Sequence, residues 1–421
     1  MTMIKAITNA RVLDCKGEEP LADTSLIIEE GVIKDIQRGG RVSIPDGGEI
    51  YNAGGNTVLP GLIDAHDHFA VTTNDLGAVL HETPFYTAVK IQKQLEKILN
   101  AGFTTVRDAG GGHWSIRHAV RENMIRGPRL LICGPMMSVT GGHGDFNLRG
   151  EMAFPPENRF VKLMRLSDGA EDFRKAAREQ FQLWADHLKI CVTGGCASPN
   201  DEPWQIHMTK EEIEAVTQEA SMHGTYVMAH SLNDEGNKLA VKSGVKTVEH
   251  ACFLSDETAK MMKREGAAVI STFAVISWAE QYGKEQGAAE WFLRKLENPS
   301  CSPENLSLME GMIQASQVAL KHEVPVGSGA DYFGTMCGGE ALNIKLLVDL
   351  VGISPYQALK TATAVNAEIL GLHTLGTIEV GKTADIIVVG GNPDEDISKI
   401  TDPNNILLVM KGGGTYKNFL S

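Results

Sequence analysis

Val58-Leu59-Pro60-Gly61-Leu62-Ile63-Asp64-Ala65-His66-Asp67-His68 decides how this chain is read: a buried apolar run ends abruptly in two histidines. Side chains two apart on a strand point to the same side, so His66 and His68 can reach one ion while Asp67 turns toward the wall. An H-x-H pair alone is weak evidence, since two such histidines are as often surface residues as ligands. Its place at the end of a buried strand is what makes it informative.

Downstream, short apolar runs alternate with helical stretches, the pattern of βα units in a parallel barrel. With Leu59 to His66 as the first strand and Tyr86 to Ala101 as the first long helix, further strands are expected at 104–108, 130–133, 188–192, 226–230, 247–250, 268–272 and 325–329, eight in all. Most run straight into Gly, Asp or His, and in barrel enzymes the strand C-termini carry the active site. The two ends of the chain read differently. Strands are expected at 6–13, 24–28 and 32–36, with Gly31 as a turn, and again at 376–378, 384–389 and 406–410. The expected architecture is a (β/α)8 barrel over 58–375, with a small β-sandwich domain formed by 1–57 together with 376–421.

Composition narrows the function. The chain has 421 residues, is 43% hydrophobic and carries a net charge of −14. An acidic balance disfavours nucleic acid as a partner. No stretch approaches the ~18 uninterrupted apolar residues of a membrane span, and the alternating N-terminus lacks the apolar core of a signal peptide. A cytoplasmic enzyme acting on a small molecule is the expectation. The seven cysteines are scattered without a C-x-x-C pair and read as reduced, a zinc-thiolate site at Cys191 and Cys196 being the open alternative.

Single candidate ligands stand at other strand ends. His230 closes the fifth strand, His250 the sixth, and Asp331 follows the eighth. Lys189 lies among apolar neighbours at the same height on the fourth. Burial favours a neutral amine over an ammonium, and a neutral amine can capture carbon dioxide as a carbamate able to bridge two metals. Alone, each could be structural: Lys189 could snorkel or pair with Asp186, and Arg107-Asp108 reads as a pair at the rim. His113 and His143 lie in glycine-rich loops, where solvent-facing histidines are ordinary.

Together, these residues resemble the amidohydrolase superfamily, in the branch of imidazolonepropionase-like proteins, prolidase-type dipeptidases and related carboxypeptidases. The resemblance rests on 58–68, Gly102 to Asp108, Gly141-Gly142-His143-Gly144, Lys189 with Gly194-Gly195, His230, Glu249-His250, Ser328 to Asp331, and Gly376-Thr377-Ile378 through Asp385, spanning nearly the whole chain. It implies two divalent ions, most simply Zn2+. His66, His68 and Asp331 would hold one, His230 and His250 the other, and a carboxylated Lys189 would bridge them. It also implies attack on an amide carbonyl by a metal-bridging hydroxide. Asp331 would shuttle the proton and His143 would steady the oxyanion. Homo-oligomers are usual among such proteins.

Substrate is less legible. Prolidase-like members carry a tyrosine after the fifth-strand histidine where this chain has Ser231-Leu232. The expected reaction is cleavage of a dipeptide or N-acyl amino acid, as in Xaa-Pro dipeptidases and carboxypeptidases, with amide-linked aromatic compounds such as ochratoxin within the same chemistry. Ser231 and Tyr332 are expected to touch substrate. Phe69, Phe253, Phe273 and Phe333, near other strand ends, suggest an aromatic pocket. The 276–306 segment, with Trp278 and Trp291, could cover the site or form an interface. The alternative is an imidazolonepropionase-like cyclic amide hydrolase or a mononuclear deaminase. These carry H-x-x-E on the fifth strand, where this chain has His230-Ser231-Leu232-Asn233.

Overall fold

In the computed structural model the residues described are 4–17, 19–39, 47–74, 82–145, 162–286, 288–298 and 305–420. The strands are β1 Ile4–Val12, β2 Leu21–Glu29, β3 Val32–Arg38, β4 Glu49–Asn52, β5 Thr57–Pro60, β6 Leu62–Asp67, β7 Phe103–Asp108, β8 Arg129–Leu131, β9 Met136–Ser138 and β10 Met164–Leu166. They continue with β11 Leu188–Cys191, β12 Val227–Ser231, β13 Thr247–His250, β14 Ala268–Ser271, β15 Val326–Ser328, β16 Ile386–Val389, β17 Ile406–Lys411 and β18 Gly414–Asn418.

Eight strands from the two ends of the chain form one sheet in the order β18-β17-β16-β5-β1-β2-β3, with β4 beside β1. Two tight hairpins set its edges. Glu30 and Gly31 turn β2 into β3, and Gly412 and Gly413 turn β17 into β18, all four with positive φ, the conformation that suits a two-residue hairpin loop. The two tips touch backbone to backbone: a Cβ on Gly31 would lie 2.6 Å from the Gly412 carbonyl oxygen. Gly376 to Ile378, expected as a strand, is instead a turn in which the Ile378 N–H donates to the Asp14 carbonyl. The preceding glycine at φ +83 leaves no extended run there.

The apolar run 58–66 is not one strand. Thr57–Pro60 pairs with Ile386–Val389 in the terminal sheet, and Leu62 begins the barrel beside β7. Gly61 makes the break: a Cβ there would lie 2.2 Å from Thr104 Oγ1, so only glycine lets the chain pass from sheet to barrel.

The barrel is an α/β assembly of a three-stranded arc, β6-β7-β8, and a seven-stranded parallel arc, β10-β9-β11-β12-β13-β14-β15. Strands β9 and β10 were not expected. They are three residues each, too short to show a period, and they stand between β8 and β11 in the sequence. The two arcs meet at one side through Asp186, whose N–H donates to the Ile132 carbonyl and whose carboxylate accepts from the Ile132 N–H. At the other side Asn366 bridges β6 and β15. Its amide donates to the carbonyls of Ile63 and Ser328, both at 2.8 Å, and accepts from the Ser328 N–H. Gly327 leaves room for that amide, since a Cβ there would sit 2.3 Å from Asn366 Oδ1. Among the described residues no helix is long and apolar enough to cross a membrane. The six described cysteines are buried thiols, and Cys301 lies outside the described residues.

Because Asn366 satisfies three backbone groups at a buried seam, Asn366→Leu is expected to cost about 2–4 kcal/mol, read as a lower urea midpoint. A loss under about 0.5 kcal/mol would show that the seam closes without it.

Candidate active site

The histidines expected from the sequence converge at the strand C-termini. His66, His250 and Asp331 each place a ligand atom within 4.8 Å of the others. His68 Nε2 lies 3.2 Å, and His66 Nε2 3.3 Å, from Asp331 Oδ1. The His230 ring centroid is 4.8 Å from that of His250. Close approach is possible because Gly329 has no side chain: a Cβ there would lie 2.5 Å from that of His66. His250 and Asp331 both hold positive φ, 67° and 57°. Backbone strain of this kind, on the order of 1–3 kcal/mol per residue, is characteristic of functional sites.

Each imidazole is held by its other nitrogen, which leaves the inward atom for a ligand. His66 Nδ1 bonds Glu249 Oε2 at 2.7 Å, His250 Nδ1 bonds Thr272 Oγ1 at 2.6 Å, and His230 Nε2 bonds the Gly194 carbonyl at 3.2 Å. Fixing the far nitrogen with an acceptor or hydroxyl sets ring orientation and tautomer in metal sites. Glu249 is itself gripped by Arg107 at 3.0 and 3.1 Å and by the Thr247 hydroxyl. Burial pushes the Glu249 carboxyl up, but Arg107 and His66 hold it far below the usual range, so it stays ionised. Asp331 behaves alike: burial raises it, and His66 and His68 more than reverse that. Burial keeps His250, lowered to about 3, and His230 neutral, the form in which imidazole binds a metal.

Arg107 is thus not paired with Asp108, as the sequence suggested. It lies wholly inside the barrel, where Glu249 is the available counter-charge, while Asp108 accepts the backbone N–H groups of Gly110, Gly112 and Cys133. Nor does Lys189 pair with Asp186, which binds Arg117. Lys189 is 2% exposed, lines the central cavity and makes no ion pair among the described residues. Asp67 is fully buried and groups with Cys337 and Glu340 rather than with the histidines.

His143 reaches the cavity from its glycine-rich loop. Its ring stacks on His230 with centroids 4.2 Å apart. Nδ1 meets Ser198 Oγ at 2.9 Å and Asp201 Oδ2 at 3.3 Å. The Gly194-Gly195 pair is explained by crowding: a Cβ on Gly195 would lie 2.3 Å from the His143 ring, and one on Gly194 2.0 Å from the Glu202 carbonyl oxygen. His113 does something else, capping the helix Trp114–Arg121.

The cavity measures about 640 Å³. Its apolar wall includes Trp278, Trp291, Phe292, Leu296, Met312 and Phe333, so the 276–306 segment covers the site as far as it is described; residues 287 and 299–304 lie outside the described set. Ser231 and Tyr332 do not line it. The Ser231 hydroxyl bonds the Asn233 carbonyl, and the Tyr332 ring packs with Ala274, Val275 and Met336. The alternation of strand side chains turns Ser231 away from the side His230 faces, and Leu232 lines the wall instead. Phe69, Phe253 and Phe273 are core residues.

Donors of this kind, imidazoles with a carboxylate turned inward and their far atoms pinned, fit a divalent metal. Thr272→Val keeps the shape but removes the bond to His250. It is expected to weaken metal affinity about tenfold, measured by chelator competition, with the circular dichroism unchanged. Wild-type affinity in that variant would show that Thr272 does not hold the ligand.

Comparison with known proteins agrees with this geometry. The amidohydrolase family model matches residues 57–415. The chain is similar to ochratoxinase of Aspergillus niger, 28% identical over 95% of this chain and 84% of that protein. It is similar to imidazolonepropionase of Deinococcus deserti, 23% identical over 93% and 92%. Among solved structures it resembles a prolidase complexed with N-methylphosphonate-L-proline, with a TM-score of 0.92 and 32% identity over 99% and 100% of the two chains. With its barrel, its terminal sheet and its cluster of strand-end histidines, the chain belongs to the metal-dependent amidohydrolase family, hydrolases of C–N bonds.

Proposed function

We propose that the protein hydrolyses the amide bond of a dipeptide or N-acyl amino acid bearing a bulky apolar group, using two divalent metals. His66, His68 and Asp331 would hold one, His230 and His250 the other, and a carboxylated Lys189 would serve as a further ligand. The observation that carries this reading is Lys189 itself, a buried lysine on the cavity wall that makes no ion pair within 4 Å among the described residues. An unpaired buried ammonium is costly. A carbamate on the same arm would instead be neutralised by the metals. Zinc suits the imidazole-rich donor set.

Bound there, the metals would supply Lewis acidity and would acidify a water toward neutral pH. Asp331, low in pKa and next to His66 and His68, takes the proton of the attacking water and returns it to the leaving amine. His143, aimed by Ser198 and Asp201, faces the carbonyl oxygen as it gains charge. The wall of Trp278, Trp291, Phe292 and Leu296 receives the apolar part of the substrate. Likeness to an ochratoxinase and to a prolidase supports an amide between an acyl group and an amino acid.

A cyclic amide hydrolase or deaminase is disfavoured at residue 233. Where that branch carries glutamate, Asn233 caps the following helix and donates to the Pro203 carbonyl.

The test is a panel of dipeptides and N-acyl amino acids, followed by amino-acid release, with metal counted per chain. About two metals and release from apolar substrates are expected. Asp331→Asn should keep its fold and lose about 100-fold or more in kcat. Near one metal per chain, with no amino acid released across the panel, would sink the reading.

A further inference from the structure

The helix Glu290–Glu297 does two things at once. Trp291, Phe292 and Leu296 form part of the cavity wall. Lys295, on the same helix and one turn after Trp291, is 1% exposed. Its ammonium donates to the backbone carbonyls of Ser198 at 2.8 Å, Gly195 at 3.4 Å and Asp201, and lies 3.8 Å from Asp201 Oδ1. Its Nζ also sits 5.1 Å from the Trp291 ring centroid.

Three carbonyls converging on one point make a seat that a cation fills and an apolar side chain cannot. The seat is formed by the 195–201 loop, and that loop holds His143. Asp201 accepts from the Gly195 N–H at 2.6 Å and from the Ser198 hydroxyl, and both Ser198 and Asp201 meet His143 Nδ1. Apart from these two contacts, the ring has its stacking on His230 and its crowding against Gly195. The chain of contacts therefore runs from Lys295 through Asp201 and Ser198 to the imidazole.

We propose that Lys295 is a positioning residue for His143: by clamping the 195–201 loop, it makes one helix set both the wall that receives the substrate and the imidazole that faces the reacting carbonyl. This rests on the reading of His143 given under Proposed function. It needs no movement. A lysine is suited because its four-carbon stem reaches the loop while the head meets three acceptors.

The test is a double-mutant cycle of Lys295→Met with His143→Gln, assayed on the best substrate of the panel, with metal per chain measured throughout. K295M is expected to lower kcat about 10- to 100-fold, with KM changed less than about threefold and metal content unchanged. K295R should recover part of the loss. In the H143Q background K295M should cost nothing further, because the residue it positions is gone. A readout without substrate is the downfield imidazole N–H proton resonance that H143Q removes. It should vanish in K295M and return in K295R while the rest of the spectrum holds. K295Q, polar but shorter, replaces K295M in both experiments should the latter fail to fold. An equal loss from K295M with and without His143, or a His143 resonance that persists in K295M, overturns the positioning role alone. Wild-type kcat in H143Q overturns the His143 reading and the positioning role together.

Discussion

The site depends on one buried ion pair. Arg107 inside the barrel grips Glu249, Glu249 fixes His66, and His66 with His68 meets Asp331. Removing either charge would strand the other in a low-dielectric interior, a loss of about 3–5 kcal/mol. Arg107 also donates to the Ala65 carbonyl at 2.6 Å and to the Thr247 hydroxyl at 3.0 Å. A single guanidinium thus ties β6, β7 and β13 together just behind the histidine cluster. The pair contributes less to net stability than to alignment: well-packed apolar residues would fill the space as stably, but would leave His66 without an acceptor to choose its tautomer.

Around this rigid centre the substrate-facing parts come from longer connections. His143 arrives on a loop, and the apolar wall comes largely from the segment after β14. That division follows the general logic of barrel enzymes, in which strands hold the invariant chemistry and loops the specificity. It also explains why the aromatic wall is built from Trp278, Trp291 and Phe292 rather than from aromatics next to the ligands. Phe69, Phe253 and Phe273, close to strand ends, are consumed by core packing.

The sequence carried the barrel and its cluster of strand-end residues well, because strand periodicity and strand-end histidines are local signals. His66, His68, His230, His250 and Asp331 could be named from position alone, and the structure gathers them. What failed was pairing at a distance. Nothing local tells Arg107 that its partner is Glu249 rather than the adjacent Asp108, or that Lys295 will meet the carbonyls of Gly195, Ser198 and Asp201. The glycine pair 194–195 was visible as a motif, but its reason, a ring and a carbonyl pressed against two missing side chains, is purely tertiary. Ser231 and Tyr332 were drawn in by sequence proximity to ligands. The alternation of strand side chains turns Ser231 away, and Tyr332 follows a left-handed Asp331 that redirects the chain. Strands β9 and β10 carry too few residues for any pattern.

Gly61 joins the terminal sheet to the first barrel strand, so the two share a covalent seam whose halves mature at different times. Strands β1 to β5 are made early, but β5 finds its neighbour β16 only when nearly the entire barrel has left the ribosome. At about 5–20 residues per second this is a wait on the order of tens of seconds. During it, the β5 edge that β16 will cover is an open template, the state in which strands recruit wrong partners. The chain shortens the exposure by making β5 only four residues long and ending it in proline, which cannot donate to a neighbouring strand. That stop signal on β5 is written into the same eleven residues that open the barrel and carry His66 and His68.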